Sequence, residues 1–188
     1  IIAMAVEDGV AVHGVKANSE AEVMGINDKI QLAAAERALQ RQRVDVLMSQ
    51  GVGFADPARV DIRGRLKCGK DVFIDVNAVF EGAVILDDGV LIESNNLVRD
   101  SHLGADTTVH SNCHIEQAST GTNCEIGPYA RLRPGAELAE DVKGGNFVEI
   151  SPGGSPFYYE DGDEILDTQG SVSLISLLLK YVAGGGEE

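Results

Sequence analysis

Apolar residues recur every six positions through the middle of the chain, a period that suits neither an amphipathic helix nor a half-buried strand. Counted from Ile74, the series runs Ile74, Phe80, Leu86, Ile92 and Val98. It resumes after a slip of one residue as Leu103, Val109 and Ile115, and after a second slip as Ile126, Leu132 and Leu138. Four residues after these anchors stand Ala78, Val84, Val90, Thr107, Cys113, Ser119, Ala130, Ala136 and Val142, nearly all small or β-branched. The position directly after an anchor is mostly Gly or acidic: Asp75, Glu81, Asp87, Glu93, Gly104, Glu116 and Gly127. Such hexads predict a parallel β-helix. One bulky side chain per hexad fills the prism, a small one lies near the corner, and three hexads make a coil of roughly 18 residues. From Ile74 to Ile150 there is room for about four coils. A sandwich of short strands would instead alternate with period two and place turns every ~8–12 residues. One anchor is missing. Gly144 stands where the series after Leu138 asks for a bulky apolar side chain, leaving a hole of the kind that costs a few kcal/mol in a packed core.

Upstream of the repeat the pattern is helical. IIAMAVEDG reads as the last turns of an apolar helix closed by Gly9, because glycine readily takes the left-handed conformation that a helix end often needs. VAVHGV at 10–15 reads as a short strand. A long helix is predicted from Asp28, which forms a capping-box-like pair with Gln31, and no Pro or Gly interrupts the chain until Gly51. At 1.5 Å per residue it would run roughly 34 Å. Its apolar residues leave wide polar stretches such as Glu36, Arg37, Gln40 and Arg41, which suits a connecting arm better than a core element.

Charge and cysteine content narrow the functional classes. Asp and Glu number 30 against 15 Lys and Arg, a formal charge of -15, so a polyanion would be repelled and nucleic acid is not an expected partner. The longest strongly apolar run, VSLISLLLKYV at 172–182, is too short for a membrane span, and no charged leader with an apolar stretch opens the chain. A soluble, cytoplasmic protein is expected. Three cysteines at irregular spacing, Cys68, Cys113 and Cys124, fit reduced, buried or half-buried thiols rather than a disulfide framework. The first residue is Ile, so the N-terminus reads as an interior cut.

Three segments then carry a resemblance: GINDKIQLAAAE at 25–36, DPARVDIRGRLKCGKDVFIDVN at 56–77, and IGPYARLRPGAEL at 126–138 followed by GNFVEI at 145–150. In order and spacing, from Ile1 to Ile150, they resemble the bifunctional UDP-N-acetylglucosamine pyrophosphorylase / glucosamine-1-phosphate N-acetyltransferase (GlmU) family. The resemblance implies a mainly β chain: a left-handed parallel β-helix at 56–150, preceded by a helical arm at 28–55 and the last elements of an α/β nucleotidyltransferase domain at 1–27. Residues 151–188 form a divergent tail. The resemblance further implies a homotrimer, sugar phosphate and nucleotide substrates, Mg²⁺ and acetyl-CoA as the family's cofactors, and a role in UDP-N-acetylglucosamine biosynthesis for the cell envelope.

Carried over residue by residue, the resemblance gives Asn27 as a ligand of the metal and the sugar nucleotide, and Arg133 as a clamp on the phosphate of glucosamine 1-phosphate. A planar, permanently charged fork suits that task. The alternatives are helix-entry chemistry for Asn27 and a solvated surface position for Arg133. No catalytic residue is carried over. The family's lysine after GNFVEI is here Ser151, and no histidine follows His114 to act as the general base, whose absence costs on the order of 10²- to 10⁴-fold. One amide cannot hold Mg²⁺, which takes six oxygen ligands, so this chain alone is expected to bind neither cofactor and to be inactive. The other reading is a non-catalytic β-solenoid structural or oligomerisation module.

Two further constellations are weaker. His110, Cys113, His114 and Cys124 lack the tight paired spacing of closed zinc sites and fall on different sides of the predicted corners. EDGDEILD at 160–167 lacks the remaining positions of a calcium loop and reads as an acidic solvated loop. The run at 172–182 could dock over the open last coil as a helix or strand, covering its unpaired edges.

Overall fold

The computed structural model describes residues 1–17, 20–23, 25–153, 159–160 and 163–164. The expectations for the run at 172–182, and for most of the acidic stretch before it, lie outside these residues. The chain divides into two compact units, Ile1–Leu39 and the residues from Gln40 onward.

In the first unit, helix α1 spans Ile2–Glu7. Gly9 follows with φ 72°, and the amides of Gly9 and Val10 bond to the carbonyls of Val6 and Ala5 at 3.1 and 2.8 Å, which is the glycine closure expected there. Val10–Val15 is not a strand. It runs as exposed irregular chain, because no strand among the unit's described residues offers it a ladder, and an extended segment without one is not independently stable. Helix α2, Lys29–Ser49, begins where the capping pair places it. The Gln31 amide donates to Asp28 Oδ1 at 2.8 Å, and Gln31 Oε1 accepts the Asn27 amide at 2.6 Å.

The second unit is a parallel β-solenoid of about five turns. Strands from successive coils stack in register on each face. On one face Phe73 pairs with Leu91, Leu91 with Thr108, Thr108 with Glu125 and Glu125 with Lys143. On the second, Val79 pairs with Leu97, Leu97 with His114, His114 with Arg131 and Arg131 with Glu149. On the third, Ile85 pairs with His102, His102 with Ser119 and Ser119 with Glu137. The anchors read from the hexads are the interior: Ile74, Phe80, Leu86, Ile92, Val98, Leu103, Val109, Ile115, Ile126 and Leu132 are each at most 1% exposed.

The repeat begins one coil earlier than its first anchor suggests. The strand Val60–Cys68 stacks beneath Ala78–Leu86, with buried Ile62 directly beneath Phe80. Both slips fall at the same corner. The sides from Val98 to Leu103 and from Ile115 to Thr120 are each one residue short of a hexad, and the coils that contain them are shortened to match, as the pairings Leu97 with His114 and His102 with Ser119 record. The second slip therefore hides an inward residue. Thr120 occupies the interior position, so Ala118 takes the corner place that the spacing had given to Ser119.

The corners need left-handed backbone, and among the described residues eight of the eleven non-glycine residues with positive φ are Asn or Asp, which tolerate it best. Where backbones run closest, only glycine fits: a Cβ on Gly64 would lie 2.0 Å from the Gly82 carbonyl oxygen. The last turns of α2 are not a free arm. Val44 and Leu47 are buried with Val52 against the first coil, and Gln40 is 3% exposed.

Candidate functional site

The second face of the solenoid carries most of the charged chemistry. Along a strand successive side chains alternate between core and solvent, so Leu132 enters the interior while Arg131 and Arg133 both point outward and are exposed. Arg133 Nη1 lies 3.0 Å from Glu149 Oε1, in the next coil, with both side chains about half exposed. The backbone beneath is fixed by the ladder, the Arg133 amide donating to the Ile150 carbonyl at 2.9 Å. Arg131 stacks between His114 and Glu149 in register and makes no ion pair among the described residues.

Below this pair an alternating column of charge climbs the same face. Arg63 Nη1 meets Glu81 Oε1 at 3.1 Å, Arg99 Nε donates to Glu81 Oε2 at 2.8 Å, and Arg99 Nη1 meets Glu116 Oε1 at 2.9 Å. The hydrogen bond from Arg99 is the main reason the Glu81 carboxyl sits below the usual carboxylate range. Arg133, further up the column, turns to Glu149 instead. It therefore presents a guanidinium partly neutralised by one carboxylate, beside a second guanidinium that has no carboxylate partner among the described residues. Two outward arginines two residues apart place two positive charges on one side of the strand, an arrangement that can meet a doubly charged oxyanion. Sequence reasoning singled out Arg133 and missed Arg131 and Glu149. The signal was available in the RLR spacing, since residues i and i+2 of a strand share a side.

Asn27 lies in the first unit, exposed, immediately before α2. Its backbone N–H donates to Gln31 Oε1, while Asp28 is engaged in capping. One exposed side-chain amide is not a Mg²⁺ site, and no group of three or more His, Cys, Asp or Glu side chains among the described residues could hold a metal ion.

The four residues weighed as a zinc set go to separate partners. His110 Nδ1 lies 3.0 Å from Glu93 Oε1, the Cys113 thiol donates to the Gly127 carbonyl at 2.9 Å, and the Cys124 thiol to the Ala139 carbonyl at 3.0 Å. His114 Nε2 is buried, 3.9 Å from Glu116 Oε2. All three cysteines are free, Cys68 partly buried and the other two fully so. No helix among the described residues is long and apolar enough to cross a membrane.

No family model matches the chain. It is similar over 150 residues, 80% of its length, to proteins described as "Bifunctional protein GlmU". It is 54% identical to that of Janthinobacterium (strain Marseille), 53% identical to that of Azoarcus (strain BH72) and 49% identical to that of Nitrosospira multiformis. The aligned stretch covers 33% of each of these proteins, so the chain spans about a third of the length of the curated relatives it matches. Among solved structures, the acetyltransferase domain of PglB from Neisseria gonorrhoeae FA1090 is similar at TM-score 0.50 and 20% identity, covering 62% of this chain and 59% of that one. PerB from Caulobacter crescentus, in complex with CoA and GDP-perosamine, is similar at TM-score 0.51 and 18% identity, covering 62% and 58%. At such identities the likeness shows the shared solenoid fold.

Proposed function

We propose that this chain is a segment of a GlmU-type bifunctional transferase of UDP-N-acetylglucosamine biosynthesis, and that its part in the chemistry is to hold the phosphate of a sugar phosphate on the outward arginines of its last coils. The observation that carries the reading is the RLRPGAEL segment. It belongs to a chain about half identical to GlmU proteins, and it lies on the solenoid with Arg131 and Arg133 both exposed on one face. Arg133 supplies the charge and the geometric fork, Glu149 holds that fork, and Arg131 adds a second charge alongside.

The whole enzyme would acetylate the amine of glucosamine 1-phosphate from acetyl-CoA and then transfer a uridylyl group from UTP. In this chain no histidine follows His114, and Ser151 stands where the family has a lysine. Binding without turnover is therefore the expected behaviour of the isolated chain. Asn27 would contribute to the uridylyl half only in company with further oxygen ligands, and no group of three or more His, Cys, Asp or Glu among the described residues could hold a metal ion, so no step is assigned through Mg²⁺. A homotrimer in the cytoplasm, with acetyl-CoA bound in the complete enzyme, completes the proposal.

Titration calorimetry with glucosamine 1-phosphate tests it. The chain should bind the sugar phosphate, and Arg133→Ala should weaken binding about tenfold or more, the scale of one lost charge-assisted pair. Glucosamine without its phosphate should not compete. An affinity indifferent to Arg133→Ala would overturn the assignment. The second reading, a non-catalytic solenoid module, is favoured by the Arg133–Glu149 pair itself, which already engages the arginine in an ion pair within the chain. Absence of any phosphate binding in the same titration would support it.

A further inference from the structure

A strand at the end of a sheet presents unpaired N–H and C=O groups and is a template for another chain. In this solenoid the carbonyls of inward residues accept amides from the coil before them. Ile74 accepts from Ala55 at 3.0 Å, Ile92 from Asp75 at 2.8 Å and Val109 from Glu93 at 2.9 Å. Ile62 is the inward residue of the first coil on the second face, and its strand, Val60–Cys68, pairs only with Ala78–Leu86 among the described strands.

The missing coil is replaced by a side chain. Ile62 donates its amide to Gln40 Oε1 at 2.7 Å, and Gln40 Nε2 donates to the Ile62 carbonyl at 3.1 Å, a carbonyl that Arg43 Nη1 also reaches. A carboxamide has the donor and acceptor of a peptide unit, so Gln40 completes the ladder as a preceding strand would. It does so from a buried position on the helix face it shares with Val44 and Leu47.

We propose that this half of α2 is a guard on a β-augmentation edge, and that the strand it excludes is the same strand of a second copy of this chain. The edge is complementary to itself. Antiparallel pairing about a two-fold axis centred on Ile62 sets Asp61 of one copy opposite Arg63 of the other, and Arg63 of the first opposite Asp61 of the second. The two residues already attract at 3.1 Å within one chain. The arm therefore keeps the solenoid from joining end to end, a task separate from linking two domains.

The test uses the full chain. Gln40→Met with Arg43→Met keeps apolar bulk and helix propensity but removes the donors and the acceptor. Amide hydrogen exchange at Ile62, compared with Leu132 several coils away, reads the ladder, and light scattering across a concentration series reads association. In dilute solution the double variant should exchange the Ile62 amide about tenfold faster or more. As concentration rises, its mass should double relative to the parent assembly and the amide should become protected again. Gln40→Glu, which keeps the acceptor, should leave the Ile62 amide protected. Adding Arg63→Asp, which sets like charges across the axis, should abolish the extra association. Unchanged exchange at Ile62, faster exchange without added mass, or association that survives Arg63→Asp would each overturn the proposal. If the double variant does not fold, Gln40→Met alone is read by the same two measurements.

Discussion

The rings of Tyr129 and Phe147 stack one coil apart, with centroids 4.8 Å apart and planes 3° from parallel. Both residues sit at left-handed corners, φ 60° and 56°, in places that Asn and Asp hold elsewhere in the solenoid, and both are more than half exposed. A bulky residue in that conformation costs about 1–2 kcal/mol, and a stacked aromatic pair returns about 0.5–1.5 kcal/mol beyond its burial. The cost falls on each residue and the stack is shared between them, so replacing both rings with Asn, which tolerates the conformation better, should stabilise the corner by about 1 kcal/mol or more. Each single replacement should change stability little, because relief of one strained aromatic offsets the loss of the stack. A double-mutant cycle of Tyr129→Asn and Phe147→Asn, followed by denaturant unfolding, should return a coupling of about 1 kcal/mol. A coupling near zero would mean the rings lie together without attraction.

Arg99 bridges two coils at once, and that makes acid stability a test of the ladder. Its hydrogen bond to Glu81 is the leading cause holding that carboxyl below its ordinary value. For a group whose folded pKa is depressed, the stabilisation is fully present above the unfolded value, about 4.3 for Glu, and is lost as pH falls through the lower folded value. Glu81→Gln should therefore lower stability at neutral pH, by at most about 1 kcal/mol because the pair is partly solvated. The difference from the parent should shrink progressively below about pH 4. Thermal unfolding at pH 7 and pH 3 checks this, and a difference that persists in acid would show that the loss is one of packing.

The thiols should be quiet. Burial pushes the Cys68 thiol up to about 12, and burial likewise raises Cys113 and Cys124, whose sulfurs already donate to backbone carbonyls. Only the thiolate attacks a disulfide reagent. In the folded protein at pH 8 all three should react at less than about a tenth of their rate in denaturant. Rapid labelling of one thiol in the folded state would identify a coil that opens.

Much of this architecture could be read from the chain because a solenoid writes its geometry locally. An inward residue every six places is a property of each side taken alone, which is why Ile74 to Val98 were legible without any tertiary reasoning. The misses are the places where one position answers to a distant one. Thr120 is polar yet inward, and its hydroxyl is satisfied by the Gly104 amide at 3.0 Å and by Thr107 at 3.3 Å, partners that no local pattern names. Asn96 and Ser101 are buried for a similar reason: they accept the amides of Cys113 and Ala118 from the next coil. Ile62 lies two hexads before Ile74 and was legible in the same count, but the place between them is Cys68 rather than a bulky anchor, which breaks the series. Gln40 read as part of a polar helix surface because its partner is a backbone 22 residues away. At the candidate site, Arg133 came from a resemblance to one motif, whereas Glu149 enters only when coils are stacked.

Gly144 shows the converse, a defect visible in sequence whose consequence the structure changes. The missing anchor is inward and buried, as the six-residue count requires, between Ile126 and Ile150. Several glycines on this solenoid cannot accept a methyl group, because a Cβ would fall within 3.0 Å of backbone atoms of the next coil, as at Gly64, Gly104 and Gly127. At Gly144 a Cβ would instead meet the Glu125 carbonyl oxygen at 3.5 Å, Ile126 Cα at 3.9 Å and Ile150 Cδ1 at 4.0 Å, ordinary contacts. The backbone there is not left-handed, so an L-residue is unstrained. Gly144→Ala should then stabilise the last coils twice over: by reducing the freedom of the unfolded chain, worth about 0.4–1 kcal/mol, and by burying a methyl group, worth about 0.8 kcal/mol. Gly64→Ala, made beside it, should destabilise by more than either gain, since its Cβ has no room. Chemical denaturation of the two variants checks the pair of signs. A destabilised Gly144→Ala would mean that Ile150 already fills the space and that the interior is closed without the missing side chain.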